Sequence, residues 1–93
     1  HHIILLPGAV PEKTWNAAKE WAESIGGELP DRVESALLFA TMKDEFEEAW
    51  HWTREAYASD SGYAWYQSFN YGSQSSTHKS YEGSAVAVRR LIP

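Results

Sequence analysis

Three groups of residues in this sequence have types and spacings that suggest chemistry. His51 and Glu55 stand four apart, the beginning of a zinc site, and His78 lies among Ser75, Ser76 and Ser80, which suggests a serine nucleophile with its base. A zinc site needs three or four convergent ligands, and a nucleophile needs an oriented base and an oxyanion hole, and the spacing here signals none of these. The sequence therefore points to no catalysis, no metal site and no cofactor. The third group is compositional. All five tyrosines (Tyr57, Tyr63, Tyr66, Tyr71 and Tyr81) and seven of the ten serines fall between residues 57 and 81. Tyrosine offers rigid amphipathic contact area with few rotors to freeze, and serine, asparagine and glycine offer adaptable hydrogen bonding, the chemistry of paratopes and of sugar recognition. The candidate ligand-binding residues are Tyr66 above all, with Tyr57, Tyr63 and His78 on adjoining loops, and Tyr71 and Tyr81 beyond them.

These side chains need a scaffold, and the stretch from Gly62 to Gly72 supplies its centre. Aromatics alternate there between two glycines, which reads as a strand with Trp65, Gln67 and Phe69 on a core face and Ala64, Tyr66, Ser68 and Asn70 on an open one. Trp15, Ala18, Trp21, Ala22 and Ile25 recur at helical spacing after a Thr14 N-cap and before Gly26 and Gly27. Pro30 keeps Leu29 extended, and Asp31 with Glu34 forms a capping-box-like start to a second helix whose buried stripe is expected to be Val33, Leu37, Leu38 and Met42, with Phe39 at its margin. A short helical turn is expected over residues 43–48, a strand over residues 50–53 with both tryptophans inward, and a polar turn over residues 54–61. A polar strand over residues 74–80 and one closing strand over residues 84–91 complete the second half. The apolar run Ile3–Leu6, ended by Pro7-Gly8, is expected to be a strand buried on both faces. Helices first and short strands after them predict an α+β domain, with two N-terminal helices packed on a twisted antiparallel sheet.

The 93 residues suit a single domain spanning 1–93, and with no cysteine the fold must be held by its five Trp, five Tyr and three Phe. The net charge of -5 is uneven: residues 1–56 carry -6 and residues 57–93 carry +1. The small basic cluster of Arg89 and Arg90, with Lys79 and Arg54, argues against nucleic acid as a partner. The run Ile3–Leu6 is too short for a signal-peptide core, and no stretch approaches the ~20 apolar residues of a membrane span, so no membrane insertion is expected.

In order along the chain, a Trp-containing helix, Gly26-Gly27-Glu28-Leu29-Pro30-Asp31-Arg32-Val33-Glu34, Trp50-His51-Trp52-Thr53, Ala64-Trp65-Tyr66 with Phe69, and Val86-Ala87-Val88-Arg89-Arg90 resemble the Lcl C-terminal-domain family. This is a C-type-lectin-like family of unknown function found in bacterial surface proteins and bacteriophage proteins. The start, Ile3-Ile4-Leu5-Leu6-Pro7-Gly8, resembles its phage branch, whose members often carry a further strand before the position of His1. The resemblance implies a C-type-lectin-like fold and, in the surface-protein members, a homotrimer that binds polyanionic glycans. Calcium-dependent sugar binding, common in that fold, is not expected, because Asp60 and Glu82 are the sole acids after Tyr57. Formylglycine-generating chemistry, another use of the fold, requires cysteine.

The sequence thus predicts a non-enzymatic recognition module of phage or phage-related origin, in a virion or the host cytoplasm, binding a host surface glycan or protein through its Tyr/Ser-rich face. Two other readings stand beside it: a small acidic phage protein that docks on a host protein through Asp44, Glu45, Glu47 and Glu48, and a structural trimerisation domain.

Overall fold

The computed structural model describes residues 2–6, 8–42, 49–69 and 71–91. The chain runs β1 (His2–Leu5), β2 (Val10–Lys13), α1 (Trp15–Ser24), α2 (Arg32–Met42), β3 (Trp50–Ala56), β4 (Tyr63–Ser68), β5 (Gln74–His78), β6 (Gly83–Ala85) and β7 (Val88–Leu91). β1 and β7 form a two-stranded sheet, and the other strands form a five-stranded sheet in the order β2-β6-β3-β4-β5. The α+β class matches the expectation, but the sheet is mixed rather than antiparallel, because β6 runs parallel to β3 with Ser84 beside His51.

The expected closing strand is two strands in different sheets. β6 pairs with β2 and β3, whereas β7 pairs with β1, and the buried pair Val86 and Ala87 carries the chain from one sheet to the other. β2 was not expected, since Pro11 and Glu12 hide it; it is a bulged strand with Glu12 at φ 56. β3 runs on to Ala56, into the anticipated turn at residues 54–61. Ile4 is 45% exposed, so β1 is covered on one face rather than two. The acidic docking patch and the expected turn at residues 43–48 lie outside the described residues, as do His1 and Asn70.

Both helices begin where local chemistry dictates. The Thr14 hydroxyl accepts from the Ala17 amide at 3.4 Å, and α1 ends with Gly26 at φ 84, a conformation that favours glycine. At α2 the box closes reciprocally: the Asp31 amide donates to Glu34 Oε1 at 2.8 Å and the Glu34 amide to Asp31 Oδ1 at 2.7 Å.

The rotation of α2, however, differs from the expected stripe. Val33 is 77% and Leu37 52% exposed, whereas Glu34 and Ser35 join Leu38 in the interior. Arg90 of β7 supplies the physical reason. Its Nη2 donates to Glu34 Oε1 at 2.6 Å and its Nε to Glu34 Oε2 at 2.7 Å, a bidentate pair that turns the carboxylate side of the helix inward.

The helices cover opposite faces of the large sheet. On one face Trp15, Ala18 and Ala22 of α1 pack with Leu29, Trp52, Ala64, Ala85 and Ala87, and Trp50 and Tyr66 lie against this cluster. The indole N–H groups of Trp15 and Trp52 donate to the carbonyls of Thr53 and Lys13, each at 2.8 Å. Gly83 is required beside Trp50, because a Cβ there would run into the indole ring. On the other face Leu38 of α2 packs with Phe69 and Val88, joined by Ile3, Leu5, Phe39 and Met42. His51 meets Phe69 edge-on at 4.7 Å. The expectation of one open sheet face is therefore corrected: Ala64 is fully buried in the cluster under α1, and Ser68 is nearly buried as well.

Candidate functional site

The β4/β5 hairpin places the tyrosine-rich residues. Its register runs without a shift from Tyr63 opposite His78 through Trp65 opposite Ser76 to Gln67 opposite Gln74. Since strand side chains alternate, these six share the face on which α2 lies. α2 covers the Gln67 end, leaving the other end as a partly open strip.

Arg32, at the start of α2, borders that strip. Its guanidinium lies 3.6 Å from the centroid of the Trp65 ring, a stacked cation–π contact. Its backbone N–H donates to Glu55 Oε2 at 2.6 Å and its Nε to Gln74 Oε1 at 3.1 Å, while Gln74 Nε2 donates back to the Arg32 carbonyl at 2.6 Å. The Tyr57 ring lies 5.3 Å from Trp65, tilted at 45°, and its amide donates to the Tyr63 carbonyl at 2.9 Å.

Further along, the His78 ring meets Tyr63 edge-on at 5.6 Å and Tyr81 at 6.4 Å. The Ser80 amide donates to His78 Nδ1 at 3.1 Å, with the Ser80 hydroxyl 2.7 Å from the same nitrogen. A backbone N–H can only donate, so Nδ1 is an acceptor and the neutral ring carries its proton on Nε2, as a donor. The preceding turn is fixed by Asp60, whose Oδ1 accepts from the Gly62 amide at 2.9 Å.

Four of the six sequence-derived candidates, Tyr57, Tyr63, His78 and Tyr81, thus come together. Two do not. Tyr66 points to the α1 side, half-buried with its ring 4.9 Å from Trp50. Tyr71 is 87% exposed, in the turn at the opposite end of the hairpin, where Gly72 at φ 80 sits against Phe39. Trp65 was expected in the core, and neither Arg32 nor Ser76 was among the expected ligand-binding residues. The alternation of Tyr63 with Trp65 was a signal for the former; Arg32 reaches the strip through tertiary packing and has no local signature.

Away from the strip, two shallow grooves of about 370 and 290 Å³ meet at Gly27 and Glu28. Their charges compensate one another: Glu28 Oε2 is 2.7 Å from Arg90 Nη1 and 3.3 Å from Arg54 Nη1, and Arg89 Nε donates to the Gly26 carbonyl at 3.2 Å. Among the described residues no three His, Asp or Glu side chains converge as a metal site would require, and no described helix is long and apolar enough to cross a membrane. No family model matches the chain, and no curated protein matches it.

Proposed function

We propose that the chain is a non-enzymatic recognition module of C-type-lectin-like build, related to the Lcl C-terminal-domain family and its phage branch, that binds a host surface glycan. The observation that carries this reading is the alignment of Tyr57, Trp65, Tyr63, His78 and Tyr81 along one side of the β4/β5 hairpin. A sugar presents an apolar ring face edged by hydroxyls. Half-exposed aromatic rings match the face, and the hydroxyls of Ser76 and the tyrosines, with the His78 Nε2 proton, match the edge. The strip carries one positive group, Arg32, already stacked on Trp65. The pairing of β1 with β7 around two helices and a larger sheet supports the C-type-lectin-like assignment.

The test is retention on glycan arrays and host cells. The Tyr63→Ala/His78→Ala double variant should stay folded and lose binding at least about tenfold, roughly 1.4 kcal/mol. Tyr71→Ala, at the other end of the hairpin, should bind as the parent does. Equal retention by the parent and the double variant would refute the strip as the site, and retention confined to protein preparations stripped of glycan would redirect the proposal to a protein partner.

A further inference from the structure

β5 is an outer strand of the large sheet, with β4 as its neighbour and, among the described residues, no strand on its other side. Its ladder with β4 shows which backbone groups remain unused. The Lys79 amide donates to the Gly62 carbonyl at 2.9 Å and the Ser68 amide to the Ser73 carbonyl at 2.8 Å. Hydrogen-bonded pairs alternate in an antiparallel ladder, so Ser75 and Thr77 turn their amides toward β4, while Gln74, Ser76 and His78 turn theirs outward. Of these outward groups the His78 carbonyl already accepts from the Tyr81 amide at 3.1 Å. Exposed edges are ordinarily protected by lysine, proline or a bulge. The sequence Gln-Ser-Ser-Thr-His has none of these, and the ammonium of the following Lys79 lies over the Trp15 ring at 4.2 Å.

We propose that β5 pairs antiparallel with β5 of a second copy of this chain, joining two five-stranded sheets into one. Two features select a second copy over another partner. The strand is self-complementary about Ser76: Ser76 would face Ser76 of the second copy, Gln74 would face His78 and Ser75 would face Thr77, with no charged side chain opposing its like. The charge distribution also favours this approach, since residues 63–78, the whole of the β4/β5 hairpin, contain no Asp, Glu, Lys or Arg, so no like charges are brought together along the ladder. Five-residue edges bury less than the roughly 800 Å² per partner of a standard stable interface, so the dimer dissociates on dilution. A two-fold axis through the shared ladder keeps both aromatic strips on one face, side by side. That last consequence rests on the proposed function; the pairing itself does not.

Sedimentation of the 93-residue chain over a concentration series, with amide hydrogen exchange at Ser76, tests the pairing. The mass should climb toward that of a dimer and the Ser76 amide should become protected as concentration rises. Ser76→Pro removes an outward N–H that β4 does not use, and Ser76→Lys opposes like charges at the axis; both should remain monomeric with unchanged circular dichroism. Should Ser76→Pro fail to fold, Ser76→Lys gives the same reading with the amide intact. A parent that stays monomeric at every concentration, an unprotected Ser76 amide in the dimer, or an oligomer that persists in Ser76→Lys overturns the proposal. The Tyr57→Ala/Tyr63→Ala variant alters the strip outside β5 and should lose glycan binding while dimerising as the parent does, so loss of glycan binding and loss of pairing can be told apart.

Discussion

His51 lies in the strand at the middle of the large sheet, 2% exposed, with its ring against Phe69 and its Nδ1 3.2 Å from the Ala49 carbonyl. Burial lowers its pKa from 6.5 to about 4, against a smaller opposing effect of the Ala49 carbonyl. The unfolded chain therefore takes up a proton near pH 6.5, whereas the folded chain resists until about pH 4. Within that window acid favours the unfolded state. Stability should fall by about 3 kcal/mol across it and level off below it. Chemical denaturation at a series of pH values checks this, with His51→Phe, which keeps a ring against Phe69, expected to lose the slope in that window. Nothing in the sequence marked this histidine as buried; with both Trp50 and Trp52 expected inward, alternation left His51 on the outer side, and α2 covers that side instead.

Among the elements, β2 holds the clearest backbone strain. Glu12 adopts φ 56 at the register shift between Val10 and Lys13, a conformation that costs a non-glycine residue about 1 kcal/mol. The shift has a purpose, for it brings the Lys13 carbonyl to the Trp52 indole N–H. Glu12→Gly should keep that contact and raise the thermal midpoint, offset in part by the greater freedom of glycine in the unfolded chain. Differential scanning calorimetry measures the net effect, expected to be below about 1 kcal/mol. Helix starts were legible because Thr14, Asp31 and Glu34 act on amides a few residues away. The face that α2 presents was not, because it depends on Arg90, 56 residues from Glu34. The strand β4 followed from alternation; the strip beside Trp65 did not, because Trp65 was expected in the core and Tyr63 and His78 on loops, whereas they face each other across β4 and β5, nor did the place of Tyr66, because nothing local says which side of a sheet α1 will cover.

For the molecule as a whole, Arg90 is the tie between its parts. From β7 it reaches Glu34 on α2 and Glu28 in the connecting segment, and Glu28 in turn meets Arg54 of β3. Burial acts to raise the pKa of Glu34, but hydrogen bonds from Arg90 and the Asp31 amide, with the charges of Arg90 and Arg54, together hold it below 4.5. The pair therefore stabilises the fold fully above that value and loses its contribution as pH falls through the lower folded value. Arg90→Ala strands a buried carboxylate and should cost about 3 kcal/mol, a large share of what a domain of this size holds. Arg90→Met with Glu34→Leu, which removes both charges, should restore most of it, as urea titration of the single and double variants would reveal.

The small sheet has a mechanical consequence as well. β1 and β7 lie antiparallel with His2 opposite Leu91, so tension applied through these two residues acts across the ladder and not along it. Its rungs would give way singly, from the outer end inward, a peeling geometry with little resistance to load, and the larger sheet would feel the pull after the last rung had opened.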